Sequence, residues 1–235
     1  MIPGAVEIVW HGVPLVLLPD RAAWMPGERT LLVADVHLGK PASFRAFGVP
    51  VPEAVTGRDL DRLSRLIHAT RAERLIVLGD LVHDQAALLD RTCNAAREWR
   101  DAHPSVAVDL IPGNHDRRAP ACERLGVRVL EPRIVLGGLA LTHEPPRHPD
   151  GPPTLCGHLH PVMSIGRHAR VRAPCFRFEG PVGILPAFGS FTGGLALPAD
   201  PGVGVFAAGE REVIAVTPAA AAWTVQRGNA AAAFA

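Results

Sequence analysis

Five apolar runs, each ending in acidic, amide or imidazole side chains, constrain this sequence more than any other feature. The clearest is Leu75–Leu78, which is followed by Gly79 and Asp80. Four apolar residues closed by a glycine predict a buried parallel strand, and ligands of α/β proteins bind at the carboxyl ends of such strands. The other four runs end at Asp35-Val36-His37, Gly113-Asn114-His115-Asp116, His143 and Gly157-His158-Leu159-His160. The sequence therefore predicts a metal site assembled along one edge of a sheet.

The spacing of apolar residues predicts the architecture around these runs. Glu53–Arg71 and Gln85–Ala102 carry apolar residues at helical intervals, which indicates two amphipathic helices. Alternation of strands and helices predicts parallel pairing with right-handed crossovers. From Val127 onward, short strands separated by glycine and proline predict a second, largely antiparallel sheet. We expect an α/β fold, a two-sheet β-sandwich flanked by helices, in a single domain over residues 1–235.

The remaining segments give weaker predictions. Val6–Leu18 is predicted to form a hairpin around His11-Gly12, and Leu38–Pro52 is predicted to be a loop because glycine and proline punctuate it. Ala121–Leu125 is at most a short helix. The alanine-rich tail from about residue 219 is given no function; Trp223 could dock it, and its last residues are expected to fray.

Composition limits the classes of protein to which the chain can belong. Of its 235 residues, 48% are hydrophobic, and the net charge of +1 excludes a global basic field, although a local basic patch stays open. The four cysteines form no C-x-x-C pair, which argues against a zinc ribbon or a disulfide framework. No signal peptide and no apolar stretch of roughly 20 residues is visible, so we expect a cytoplasmic protein without membrane contact.

The ligand types predict the metal chemistry. Mixed imidazole and oxygen ligands favour manganese, iron or zinc over magnesium or calcium. Two divalent cations close together need an anionic bridge, and Asp80 lies between the other ligand segments in sequence. His115, beside Asn114, could protonate a leaving oxygen, with Asp116 holding its tautomer. The alternative is that each such residue is a turn acid or a core histidine, an explanation that weakens when all of them occur together.

Taken together, these segments resemble the signature of the calcineurin-like metallophosphoesterases. The resemblance implies two divalent metal ions and makes His115 the catalytic histidine. It implies that one ion is bound by Asp35, His37, Asp80 and His160, and the other by Asp80, Asn114, His143 and His158.

A narrower resemblance points to the ligase-associated bacterial metallophosphoesterases (PdeM-like). It is carried by Asp35–Lys40, Phe44-Arg45, Gly48–Pro52, Gly79–His83, Leu185–Gly189 and Thr192–Gly194. It implies a manganese-dependent phosphodiesterase and DNA endonuclease, linked in DNA repair to a ligase, a helicase and an exonuclease. The run Asp80–Asp84 lacks the Asp-Arg-Gly sequence of the serine/threonine phosphoprotein phosphatases, which argues against that activity.

We expect the substrate to be DNA, single-stranded or flexible, because a shallow site at a sheet edge cannot easily reach a phosphate in a rigid duplex. The alternatives are a phosphodiesterase acting on small molecules such as cyclic nucleotides and a non-catalytic binding scaffold, against which the intact ligand set argues. Four basic residues adjoin ligand segments and are candidates for binding the phosphate backbone, although solvated loop charges explain them equally well: Lys40, Arg45, Arg117 and Arg118. His83 and Asp84 either contact the substrate or lie behind the site.

Overall fold

Two mixed β-sheets pack face to face, with the helices on the outer face of the first sheet. The computed structural model describes residues 2–52, 55–83, 90–116, 125–165, 171–198, 200–217 and 223–226. No helix in these ranges is both long enough and apolar enough to cross a membrane.

The first sheet contains eight of the described strands. In chain order they are β1 (Val6–Trp10), β2 (Val13–Leu18), β3 (Ala22–Met25), β4 (Thr30–Val33), β5 (Arg74–Leu78), β6 (Ala107–Ile111), β7 (Arg128–Val129) and β17 (Trp223–Gln226). Their spatial order is β17-β1-β2-β3-β4-β5-β6-β7. Each neighbouring pair from β17 to β4 is antiparallel. Each neighbouring pair from β4 to β7 is parallel. The predicted N-terminal hairpin is therefore present, and Trp223 pairs with Trp10 through the backbone.

The central strands of this sheet are buried on both faces. Leu31 and Val33 of β4 point towards the helices, and Leu32 between them points towards the second sheet. The helices are α1 (Lys40–Ala46), α2 (Val55–Thr70) and α3 (Asp90–Asp101). Burial on both sides explains why these strands are continuous apolar runs rather than alternating ones.

The second sheet contains the other nine described strands. They are β8 (Arg133–Leu136), β9 (Leu139–Thr142), β10 (Thr154–Cys156), β11 (Pro161–Ile165), β12 (Val171–Glu179), β13 (Val182–Ile184), β14 (Leu195–Ala196), β15 (Gly204–Ala208) and β16 (Val213–Ala215). The sheet is mixed: β9, β10 and β13 are parallel at its centre, and β8, β12, β15 and β16 pair antiparallel around them. The prediction of a largely antiparallel sheet is therefore wrong for its centre. Phe176, Phe178 and Phe206 fill the space between the sheets.

The structure differs from the sequence predictions in local elements. Lys40–Ala46 is a helix within the predicted loop; Pro41 occupies its first turn, where a missing N–H costs nothing. The predicted helix over Gln85–Ala102 is observed as Asp90–Asp101, and residues 85–89 lie outside the described ranges. The same holds for residues 121–124 of the predicted short helix.

Candidate metal centre

The predicted ligands lie where the parallel strands of both sheets end. Asp35, Asp80 and Asn114 follow β4, β5 and β6 of the first sheet, while His143 and His158 follow β9 and β10 of the second. Among the contacts that join the sheets here, the backbone N–H of His158 donates to Asp35 Oδ2 at 2.9 Å, and His143 Nδ1 lies 3.0 Å from the carbonyl oxygen of Leu78.

Five of the seven predicted ligands have backbone angles that residues other than glycine rarely adopt. Their φ values are 54° for Asp35, 51° for His37, 50° for Asp80, 69° for His158 and 47° for His160. Such left-handed conformations cost of order 1–3 kcal/mol each and persist only where the surroundings impose them. Here they turn each side chain out of its strand direction and towards the others.

Glycines next to the ligands allow this close approach. A Cβ on Gly79 would lie 2.0 Å from His143 Nδ1, and one on Gly113 would lie 2.2 Å from Asp80 Oδ1. A Cβ on Gly157 would lie 2.6 Å from Asp35 Oδ2. These three glycines directly precede Asp80, Asn114 and His158 in the sequence, but the sequence does not reveal the side chains that approach them.

The first cluster contains Asp35, His37 and His160. Their nearest ligand atoms all lie within 4.8 Å of one another, and His160 Nε2 is 3.3 Å from Asp35 Oδ1. Both ring nitrogens of His37 are buried and have no hydrogen-bond partner among the described residues. Burial, followed by the nearby charge of Lys40, lowers the pKa of His37 to about 2, so the ring is neutral. A neutral imidazole without a partner, facing a carboxylate, suits a bound cation.

The second cluster surrounds His143. Its Nδ1 can only donate to the carbonyl of Leu78, which leaves Nε2 on the other side of the ring to act as a ligand. This nitrogen lies 3.1 Å from Asn114 Oδ1, 3.1 Å from His158 Nδ1 and 3.6 Å from Asp80 Oδ1. Nitrogen and oxygen atoms that converge on one point are suited to ligate a cation, and a backbone carbonyl behind the imidazole is the usual support of a metal-binding histidine.

Asp80 lies between the two clusters. Its Oδ1 faces His143, and its Oδ2 lies 4.0 Å from His37 Nε2. The side chain is only 4% exposed, and Oδ1 also accepts the backbone N–H of His115 at 3.1 Å. A buried carboxylate with one oxygen towards each cluster has the geometry of a bridge between two cations. The structure therefore brings together all seven residues predicted to bind metal.

Comparison with known proteins agrees with this geometry. The family model for calcineurin-like phosphoesterases matches residues 28–172, more than half of the chain. The chain belongs to the calcineurin-like phosphoesterases. Among solved structures it is similar to the nuclease MPE of Pseudomonas putida, with 38% identity and a TM-score of 0.79 over 90% of this chain and 100% of that one. The phosphoesterase YfcE of Escherichia coli is more distant, with 15% identity and a TM-score of 0.42 over 79% of this chain and 96% of that one. No curated protein matches the sequence.

His115 occupies the mouth of this phosphoesterase site. Its side chain is 37% exposed, and its Nε2 lies 3.9 Å from Asp80 Oδ2. Nδ1 donates to the carbonyl oxygen of His83 at 2.7 Å, and the His83 ring stacks on the His115 ring with centroids 5.2 Å apart. His83, whose role the sequence left open, thus orients His115. Asp116 instead accepts the N–H groups of Val82 and Gly113, so the expectation that Asp116 holds the tautomer of His115 is corrected.

Of the four residues predicted to bind substrate, Lys40 lies beside a predicted metal ligand and Arg45 makes a structural contact. Lys40 lines a cleft with His37, and burial lowers the pKa of its ammonium group. Arg45 donates to the carbonyl oxygen of Val51 at 3.2 Å, which ties down the segment that follows α1. Arg117 and Arg118 lie outside the described residues, as does Asp84.

Proposed function

We propose that this phosphoesterase is a dinuclear, manganese-preferring phosphodiesterase that cleaves DNA. The observation that carries the proposal is the position of Asp80, whose two carboxylate oxygens face two separate sets of ligands. A site that holds two cations favours displacement at phosphorus, because both the attacking and the leaving oxygen can be stabilised. Iron or zinc would satisfy the same ligands.

Divalent cations bound by these ligands would polarise a phosphoryl oxygen and lower the pKa of a bound water. The two ligand sets described above would hold them. Left-handed backbone angles and adjacent glycines fix those ligands before a cation arrives, which reduces the entropy lost on binding.

His115 is suited to donate a proton to the leaving oxygen. Its Nδ1–H is engaged with the carbonyl of His83, so the proton to be transferred must come from Nε2, the nitrogen directed towards the site. General acid catalysis of this kind contributes roughly 10²–10⁴-fold to a rate. Lys40, which lines the cleft beside His37, is suited to hold a phosphate oxygen of the substrate.

Two observations support DNA as the substrate. The similar solved structure from Pseudomonas putida is named a nuclease. His115 is partly exposed at the site, which leaves room for a strand to approach the catalytic groups. A link to a ligase, a helicase and an exonuclease in DNA repair forms part of the same proposal and rests on the family resemblance.

The deciding experiment compares an activated phosphodiester, the matching monoester, single-stranded DNA and duplex DNA, each with manganese, magnesium, iron or zinc. We expect manganese to give the highest kcat/KM, the diester to be preferred to the monoester, and single strands to be cut faster than duplex. Metal content of the purified protein, measured by mass spectrometry, should approach two ions per chain.

Other outcomes select the alternatives. Diester hydrolysis with DNA left intact would indicate a small-molecule phosphodiesterase, and a preference for the monoester would contradict both proposals. Absence of turnover with every metal would indicate a binding scaffold.

A further inference from the structure

A pocket of about 550 Å³ lies on the far side of the segment that supports Asp35. Five arginines and three carboxylates line it, and the arginines are Arg21, Arg58, Arg62, Arg65 and Arg211. They come from the segment before β3, from α2 and from the turn between β15 and β16. Sequence reasoning could not find this cluster because its members are up to 190 residues apart.

The pocket and the metal centre share one wall, residues 187–190. On one side of this wall, the backbone N–H of Gly189 donates to the carbonyl oxygen of Asp35 at 3.1 Å. On the other side, Arg21 donates to the carbonyl oxygen of Gly189 at 3.3 Å, and Arg62 donates to that of Phe188 at 3.0 Å. The guanidinium groups are therefore anchored to the same short segment that supports a metal ligand.

The cations of the pocket outnumber the anions that neutralise them. Arg62 pairs with Asp59 at 2.9 Å and with Asp20 at 3.4 Å, and Asp20 also lies 3.7 Å from Arg65. Arg58 and Arg211 are exposed and form no ion pair with a described residue. Burial, followed by the nearby charge of Arg62, lowers the pKa of Arg21, while Asp59, Asp20 and Glu210 act in the opposite direction. Clustered guanidinium groups with unused donors bind phosphate.

An apolar groove adjoins the arginine pocket. It has a volume of about 300 Å³ and is lined by the apolar residues Val49–Pro52 together with Phe191. Arg58 and Ser190 line both this groove and the arginine pocket. Phe191 also lines the cleft that contains His37 and Lys40. The three depressions are therefore neighbours, and the apolar groove shares lining residues with each of the other two.

We infer that the arginine pocket binds a backbone phosphate of the substrate strand, beyond the phosphate that is cleaved. A strand that runs from the metal centre through the groove would place a base against the apolar wall and its next phosphates against the arginines. Alternation of phosphate contacts and base contacts is how proteins bind single strands without reading sequence. The inference rests on the proposed function, since it names how that site holds DNA.

The test measures binding separately from cleavage. The exposed, unpaired arginines are replaced in an Arg58→Ala, Arg211→Ala double variant, and an Arg97→Ala, Arg133→Ala variant is the control because it removes the same charge from exposed positions elsewhere. Both are made in a His115→Ala background, so that fluorescence anisotropy of labelled single strands is not disturbed by cleavage. A second set with His115 intact serves for kinetics on single-stranded DNA and on a small activated diester.

We expect the pocket variant to bind single strands roughly tenfold more weakly, and the control to bind within about twofold of its parent. The slope of log affinity against log salt should fall by about 0.7 for each phosphate that the variant no longer neutralises. Affinity of the parent should rise once the strand is long enough to reach the pocket, and this rise should be absent from the pocket variant. The kcat/KM for DNA should fall at least about tenfold more than that for the small diester.

Equal affinities of the pocket and control variants would overturn the inference, as would an unchanged dependence on strand length. Inorganic phosphate could instead change the rate of small-diester hydrolysis in the parent but not in the pocket variant. If strand binding is the same in both proteins, this result would assign the pocket to free phosphate. Strong, pocket-dependent binding of single strands without cleavage by the intact protein would refute the proposed nuclease activity but support the pocket assignment.

Discussion

Replacement of Gly79 by alanine should damage the metal centre through His143. The added Cβ would lie 2.0 Å from His143 Nδ1, whereas ordinary contact of a Cβ begins at 3.4 Å, so the ring must retreat by about 1.4 Å. That movement breaks the hydrogen bond from Nδ1 to the carbonyl of Leu78 and turns Nε2 away from Asn114. Loss of such support typically reduces metal affinity 10–100-fold, and a displacement of about 1 Å can reduce a rate about 100-fold.

Gly79 also has a φ of +78°, so the substitution strains the backbone as well. Gly12→Ala is the matched control, because Gly12 has a φ of +80° and no atom within 4 Å of an added Cβ. Each variant should lose roughly 1–2 kcal/mol of unfolding free energy from the left-handed conformation. Only Gly79→Ala should lose a further 1–3 kcal/mol from crowding.

The two variants are compared by denaturant unfolding, by calorimetric titration with manganese and by hydrolysis of an activated diester. Gly12→Ala should retain wild-type metal affinity and rate. If Gly79→Ala binds two ions with wild-type affinity and is destabilised no more than Gly12→Ala, the close approach of Gly79 to His143 does not position the ligand.

Three further predictions concern single side chains. His115→Ala should reduce kcat roughly 10²–10⁴-fold with two metal ions still bound; an unchanged rate would remove the histidine from the chemistry. Asp80→Ala should bind no more than one ion per chain by mass spectrometry, and retention of both ions would exclude Asp80 as the bridge. Burial of Asp109 opposes ionisation, but hydrogen bonds from Arg128 at 2.7 Å and Arg74 at 2.6 Å outweigh it and hold its pKa below the ordinary value. Because the native pKa is lowered, this stabilisation is present above about pH 4 and is lost as the pH falls. Asp109→Asn should therefore reduce the free energy of unfolding by about 1–3 kcal/mol at pH 7 and by progressively less below pH 4. Urea unfolding at several pH values measures this difference.

The site was more predictable from the sequence than the fold around it. Each ligand follows an apolar run, and parallel strands bring their carboxyl ends together, so the sequence alone placed Asp35, Asp80 and Asn114 at one edge. Strand direction in the second sheet was less predictable, because apolar runs as short as Thr154–Cys156 look the same in parallel and antiparallel pairs. The pattern does not predict the helix at Lys40–Ala46, because glycine and proline in this segment are typical of loops, although Pro41 fits the first turn of a helix.

Contacts made through the backbone were also beyond sequence reasoning. Every residue carries a backbone carbonyl, so the sequence does not show which one accepts a given hydrogen bond. The ring of His115 is held by the carbonyl of His83 and not by the carboxylate of Asp116. Arg21 and Arg62 likewise donate to main-chain oxygens of residues 187–190, and only the folded chain reveals those partners.

Because the candidate ligands are divided between the two sheets, a bound cation would also join one sheet to the other. The first cluster takes Asp35 and His37 from one sheet and His160 from the other. A cation that binds only the folded chain adds about 1.4 kcal/mol of stability for each tenfold rise in its free concentration above the dissociation constant. The melting temperature should therefore rise with the free concentration of the divalent metal, and metal starvation should reduce the amount of folded protein as well as its activity.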